Sequence, residues 1–251
     1  MKIRLAKSAA EIKMAQCLRH DVFVGEGAGI DADRYDDTCA HLLVVDEEAL
    51  SSSYALADGG LVATTRLIGQ REAEKLDGFY SANEFDLAPL LKRQSHLKFL
   101  EIGRTCILKR ARGTAVMELL WQGIWDYVRH NNYDVMIGCA SFEGTDPQAH
   151  AAALNFLGKH AKAPEEWQAT ALPDVGLAMP EARSPASDLK NILANMPPLI
   201  KGYLRLGCYI GEGCVVDNSF NTVDVLIILP VKVIKPRYFT RFGQPANLPL
   251  A

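Results

Sequence analysis

The chain has no uninterrupted apolar run approaching the ~20 residues that span a bilayer, and its opening residues, MKIRLAKSAAEIK, contain no apolar core of the signal-peptide kind. These absences predict a cytoplasmic protein. Its six cysteines, Cys17, Cys39, Cys106, Cys139, Cys208 and Cys214, include no CxxC pair and no His–Cys cluster. Neither a zinc site nor a disulfide framework is signalled, and reduced, mostly buried thiols are expected. No internal repeat, low-complexity segment or linker is found, and 49% hydrophobic with 23% charged residues argues against disorder. The simplest organisation is one domain over 1–251, with 186–251 as a C-terminal extension of it. With a net charge of -3, no nucleic-acid partner is expected. That charge is uneven, because residues 186–251 hold seven Lys or Arg against four Asp or Glu. A mildly basic end reads either as solvated surface or as a contact for an acidic partner or anionic membrane.

Read in order, Ile3 and Leu5 suggest a first strand, and Ser8 with Glu11 forms an S-x-x-E capping box for a helix running to about Val24. Arg19 and Phe23, four residues apart, share a face of that helix; a surface or capping arginine is the plain alternative. GEGAGI (25–30) ends the helix and leads into the acidic run DADRYDD (31–37), with Asp33 and Asp36 three apart. Such a run is either a solvated loop or a set of carboxylates that receives a cationic amine. HLLVVD (41–46) reads as a buried strand and LVATTRLI (61–68), carrying Arg66, as its antiparallel neighbour, with 51–60 as a loop or extra hairpin. Residues 70–95 read as irregular and helical surface. Further on, 150–160 is helical, 161–186 with four prolines is loop-like, LIKGYLRLGCYIG is a short helix or turn, and 223–231 is a last buried strand.

Between these lies the most informative stretch. Phe99–Leu108 is apolar enough for a buried strand yet carries Glu101 and Arg104, charges that are costly to bury unless paired or used. RARGTA (110–115) then brings a small-residue turn to a helix start, where free backbone N–H groups and the helix dipole favour an anion. Val116, Leu120, Ile124, Tyr127 and Val128 give that helix a buried face. With Tyr133–Cys139 as the next strand, the unit is a strand–helix–strand crossover, which predicts parallel neighbours. RARGTA also fits [Q/R]-x-x-G-x-[G/A], a turn of amides that grips the pyrophosphate or phosphopantetheine of an acyl carrier.

Together these elements resemble the N-acetyltransferase-like (GNAT) fold. Arg19-x-x-x-Phe23, the Asp33-x-x-Asp36 pair, Arg66 and Glu101-x-x-Arg104 resemble the series found in acyl-homoserine lactone synthases, over about the first 110 residues. GCASFEGTDP (138–147), PPLIKGYLRLG (197–207) and NSFNTVDVLIILPV (218–231) are similar instead to the bacterial ornithine N-acyltransferases that make lyso-ornithine lipid, and this second likeness covers nearly the whole chain.

The resemblance implies an α/β, GNAT-like fold with a mixed central sheet flanked by helices. It implies transfer of a 3-hydroxyacyl chain from the phosphopantetheine of acyl carrier protein to the α-amine of ornithine, with no permanently bound cofactor and no metal. Peripheral contact with an anionic membrane belongs to the same expectation. The ammonium must lose a proton before it attacks a thioester, so a carboxylate base is needed; Glu101 is the choice. Its alternative is a holding role, in which Glu101 and Arg104 pair with Arg19 and Asp36. Asp33 and Asp36 are candidates for the amines of ornithine, and Arg66 or Arg104 for its carboxylate or for ordering the acidic loop. Asp36 and Arg104 stand beside Glu101 as catalytic candidates, and Arg19 and Phe23 beside Asp33 and Arg66 as substrate-binding ones. Backbone N–H groups near Ile107 and Leu108 would face the thioester oxyanion, and Arg110, Arg112, Gly113, Thr114 and Ala115 the pantetheine. Lys109, Arg110 and Arg112 are either docking residues for an acidic carrier or solvated charge. Cys139 is a buried small residue or a nucleophile. Two other functions stay open: a related N-acyl amino acid or acyl-homoserine lactone synthase, and a non-catalytic acyl-carrier binding module.

Overall fold

The structure is a computed structural model that describes residues 1–25, 27–49, 53–181, 189–235 and 237–238. Position 26 of the Gly-rich stretch, 51–52 of the expected hairpin, 182–186 of the expected loop and most of 236–251 lie outside the described residues, as does the Thr114 side chain. In chain order the elements are β1 (Lys2–Leu5), α1 (Ala9–Phe23), β2 (Ala40–Asp46), β3 (Ala55–Leu56), β4 (Gly59–Gly69) and α2 (Gln70–Glu74). Next come β5 (Phe85–Asp86), α3 (Ala88–Arg93), β6 (Phe99–Ile107), α4 (Thr114–Asn131), β7 (Val135–Glu143) and α5 (Ala151–His160). The chain continues with β8 (Thr170–Ala171), β9 (Gly176–Leu177), α6 (Leu189–Asn195), α7 (Pro198–Leu206), β10 (Tyr209–Ile210), β11 (Cys214–Asp217) and β12 (Thr222–Pro230).

The chain forms two compact units. The first takes Met1–Gly78 and Leu100–Asn132. Its strands β1, β2, β4 and β6 pair antiparallel in that order, with β3 on the β4 side of a hairpin. The continuous apolar run of β2 is explained by burial on both faces. On one face Leu43 and Val45 meet Ala15 and Leu18 of α1, with Leu61, Cys106 and Leu108 in the same cluster. On the other, Val44, Val62, Ala63 and Ile107 meet Val116 and Leu120 of α4. Gly123 lets α4 lie close to the sheet, since a Cβ there would come within 2.4 Å of Ile3. The Ser8 hydroxyl caps α1 by accepting the Glu11 N–H at 3.3 Å. Glu11, expected to return that bond to Ser8, instead accepts from the Lys7 N–H and from Arg4. The apolar repeat of α4 is buried at Val116, Leu120, Ile124 and Val128, whereas Tyr127 is half-buried and Trp125 takes a place inside.

The second unit takes Phe79–Phe99 and Tyr133–Gly243. Its spine is the nine-residue antiparallel pairing of β7 with β12, from Thr222↔Glu143 to Pro230↔Val135. β11 and β10 pair with β12, β9 pairs with β11, and β5 pairs with β8. β5, β8, β9, β11 and α6 were not expected; four of these are two to four residues long, too short for a periodicity to register. Parallel pairing occurs as the isolated bridges Lys162↔Ile210 and Thr170↔Glu212. Among the described residues no helix is long and apolar enough to cross a membrane, and all six cysteines are free thiols, four of them buried.

Candidate active site

In the first unit, arginines of a helix and two strands meet the acidic loop in one ionic cluster. Arg19, on the sheet-facing side of α1, is 1% exposed. Its guanidinium grips Asp36 with two donors, Nη1 to Oδ1 and Nη2 to Oδ2, both at 2.8 Å. Nη2 also donates to the Asp31 carbonyl, and Nε lies 2.8 Å from the Asp31 carboxylate. Arg66, from β4, donates to Asp33 at 2.6 Å and to Asp36 at 3.1 Å. Arg104, from β6, donates to Asp31 at 3.1 Å and to Asp33 at 3.3 Å. Three arginines from a helix and two strands therefore hold three aspartates of the acidic loop, and the fork of each guanidinium suits a bridging role. Tyr35 completes the arrangement with its ring 5.4 Å from the Arg66 guanidinium carbon.

The Glu101-x-x-Arg104 spacing explains itself only through the backbone. Residues three apart on a regular strand face opposite sides. The register between β4 and β6 passes from Thr64↔Cys106 to Arg66↔Gly103, so Arg104 and Thr105 together stand opposite Thr65. Arg104 has φ +51°, a left-handed conformation that costs a non-glycine residue about 1 kcal/mol or more. This bulge turns Arg104 to the side of Arg66 and the acidic loop, the side Glu101 already shares through its place opposite Ile68. Glu101 is 3% exposed.

Asp36 is an anchor for the arginines. It is 2% exposed and also accepts from Gln16 at 3.1 Å and from the Asp33 N–H at 3.0 Å. Burial pushes its carboxyl upward, but the Arg19 hydrogen bonds and charge, the Asp33 N–H and the Arg66 charge outweigh it and hold the group well below the usual carboxylate range. Both oxygens of the Asp36 carboxylate, the candidate for a catalytic or amine-binding part, are thus engaged within the cluster. Asp33, with its side chain 23% exposed, is the most open carboxylate of the three. Phe23 is half-buried against the α1-side cluster.

Three participants were missed by the sequence reading. Asp31 joins Arg19 to Arg104; its position in the acidic run was the available signal. Gln16 lies one helical turn before Arg19 and Asp36 accepts from it. His41, 2% exposed on β2 opposite Arg66, places Nε2 2.9 Å from the Asp36 carbonyl. Burial lowers its pKa, against the pull of the Asp36 carbonyl and carboxylate.

These shifts fix a pH dependence of stability. His41 is neutral in the fold, so its contribution is complete above its unfolded value of about 6.5 and is lost as pH falls below that. The Asp36 contribution is complete above an unfolded value of about 3.9 and is lost at lower pH. Thermal midpoints measured from pH 7 to pH 3 are expected to fall in two stages. His41→Gln flattens the upper stage and Asp36→Asn the lower; unaltered slopes in these variants contradict the assignment.

At the end of β6 the Leu108 N–H donates to the Val62 carbonyl at 2.9 Å, so this amide, expected to face an oxyanion, is engaged in the sheet. Antiparallel alternation then directs the Ile107 N–H away from β4. A 3-10 turn, Lys109–Ala111, leads through Arg112 and Gly113 into α4 at Thr114 and Ala115. Gly113 has φ 176°, which any residue adopts, but a Cβ there would meet nothing within 4 Å. Among the described residues no side chain caps the start of α4 with a hydrogen bond. Lys109, Arg110 and Arg112 are exposed, with Arg112 Nε 3.5 Å from the Ile107 carbonyl.

In the second unit Glu84, Asp217 and Asp224 bring carboxylate oxygens within 4.8 Å of one another, a grouping that could hold a metal ion. Cys139 donates its thiol to Glu84 at 3.2 Å. Burial, then the carboxylates of Glu84 and Asp224, push that thiol well above its ordinary range. A thiolate nucleophile is disfavoured there.

Residues 18–122 match the acetyltransferase (GNAT) domain family. The chain is 43% identical over 98% of its length to the L-ornithine N(alpha)-acyltransferase of Agrobacterium fabrum, covering 86% of that protein. It is 44% identical, again over 98% of its length, to the protein of the same name from Brucella abortus, covering 90% of it. Among solved structures, FeeM, an N-acyl amino acid synthase from uncultured soil microbes, superposes with a TM-score of 0.52 at 10% identity, over 92% of this chain and 90% of that one. The fold is therefore the GNAT fold, with a mixed sheet flanked by helices.

Proposed function

We infer the reaction from a plain premise, that this chain belongs to the L-ornithine N(alpha)-acyltransferase family. The proposed reaction moves a 3-hydroxyacyl chain from the phosphopantetheine thioester of acyl carrier protein to the α-amine of ornithine. The amine nitrogen forms the new amide bond, the carbon–sulfur bond breaks, and the carrier leaves as the free thiol. The observation that carries the acceptor is the 43–44% identity to ornithine acyltransferases over nearly the full chain.

The geometry supports a division of roles. Asp33 is the most open carboxylate of the cluster and is the proposed partner of an ornithine ammonium, with Arg104 or Arg66 taking the ornithine carboxylate. Glu101, on the same side of β6, takes the proton from the attacking ammonium, directly or through water. The Ile107 N–H, directed away from β4, is the proposed donor to the thioester oxyanion. The uncapped start of α4 and the open space at Gly113 receive the phosphopantetheine. Asp36, Arg19 and His41 position these groups and do not touch substrate. Exposed Lys109, Arg110 and Arg112 are the proposed docking face for an acidic carrier. Action at a membrane surface through peripheral contact with anionic lipid fits a product that is itself a lipid.

Incubating the purified protein with 3-hydroxyacyl carrier protein and a panel of ornithine, lysine, glutamine and S-adenosylmethionine, then weighing the products, tests this. Acylated ornithine is the expected dominant product. A homoserine lactone product, or acylation of another amino acid in its place, rejects the acceptor; donor binding with no acylation of any amine indicates a binding module. In the same assay Arg110→Ala with Arg112→Ala is expected to raise the KM for the carrier about tenfold at low salt and less at high salt. An unchanged KM at low salt removes the docking face.

A further inference from the structure

The left-handed Arg104 is a position where glycine would be at ease, so something must hold an arginine there. The hydroxyls of Thr65 and Thr105 stand at the same bulge. Thr65, fully buried, donates from Oγ1 to the Gly103 carbonyl at 3.2 Å, and its Oγ1 lies 2.7 Å from Thr105 Oγ1. A hydroxyl has one proton. With the Thr65 proton on the Gly103 carbonyl, the Thr105 proton lies on Thr65 Oγ1, giving a directed chain from Thr105 through Thr65 to Gly103. This chain spans the two-against-one step in the register and reaches the carbonyl directly before Arg104. It stands where the bulge interrupts the regular ladder.

We infer that Thr65 and Thr105 are positioning residues, whose paired hydroxyls pin the bulge and so hold Arg104 in the conformation that delivers its guanidinium to Asp31 and Asp33. Valine at either site keeps the β-branched shape and removes the hydroxyl, leaving the bulge free to relax toward regular pairing. Arg104 would then swing from the acidic loop and loosen Asp33. The kinetic consequence rests on the proposed acceptor site; the structural one does not.

Two measurements on Thr65→Val, Thr105→Val, their combination and Thr65→Ser test this: amide hydrogen exchange over Leu100–Ile107, and steady-state kinetics in both substrates. Each single valine variant is expected to speed exchange in this strand about tenfold and to raise the KM for ornithine about tenfold, the scale of one lost buried hydrogen bond. The KM for acyl carrier protein stays unchanged, the double variant matches Thr65→Val, which by itself breaks both bonds of the chain, and Thr65→Ser stays at wild type. A folded Thr65→Val with wild-type exchange, a serine variant no better than valine, or single effects that add would overturn the inference. If the unaltered protein does not acylate ornithine, the acceptor reading falls alone and the exchange result still decides the brace.

Discussion

Arg19→Ala is expected to lower the stability of the protein by about 3–5 kcal/mol, the range found when one partner of a buried charge pair is removed. Arg19 supplies two donors to Asp36 and a further contact to Asp31, from a position 1% exposed. Without it Asp36 keeps Arg66, Gln16 and the Asp33 N–H, a set that leaves a buried carboxylate short of its closest countercharge. At an effective dielectric of about 20, two charges 4 Å apart interact by about 4 kcal/mol, so the Coulombic loss alone reaches the expected range. For a chain of this size the change corresponds to a fall in thermal midpoint of roughly 10 °C. Arg19→Lys does not restore it, since an ammonium cannot fork onto two carboxylate oxygens. Adding Asp36→Asn to Arg19→Ala recovers part of the loss, because the orphaned charge goes with it. A midpoint within about 2 °C of wild type would mean that the cluster is solvated and contributes little.

Glu101→Gln is expected to lower kcat about 10²- to 10⁴-fold while leaving both KM values near wild type, the pattern of a lost general base. The amide keeps the shape of the carboxylate and removes its capacity to take a proton. A residue that only held the cleft together would give a different result: a lower thermal midpoint, with KM and kcat moving together. Glu101→Asp separates the two further, because a shortened carboxylate retains a base at the wrong distance and should keep a fraction of kcat. Full turnover by the glutamine variant in a folded protein would leave Glu101 a structural role on β6.

Much of the frame could be read from residue order. β1, α1, β2, β4, β6, α4, α5, α7 and β12 each follow from an apolar run, a capping pair or a helical repeat, patterns written within a few turns of chain. Glu101 and Arg104 could be selected from sequence because charge in an apolar segment is costly enough to require a partner, whereas Arg19, Asp33 and Arg66 are picked out by the resemblance to acyl-homoserine lactone synthases. Which partner each has could not be read there. Arg19 with Asp36 spans 17 positions and Arg104 with Asp31 spans 73, and no local periodicity encodes such distances.

The stretch with Glu101 and Arg104 shows the division most clearly. Its composition determines a buried strand before an uncapped helix, because apolar β-prone residues and a glycine turn act locally. Its residue spacing alone would set Glu101 and Arg104 on opposite faces, and it would leave the Leu108 amide available. The pairing with β4 decides otherwise: a bulge at Thr65 brings the two charges to one side, and the Val62 carbonyl takes the Leu108 N–H. Sequence alone determined which segments are buried and which charges need company, since both depend on local transfer energies. Tertiary structure decided which charges meet and which amides remain, since those depend on register between strands distant in the chain.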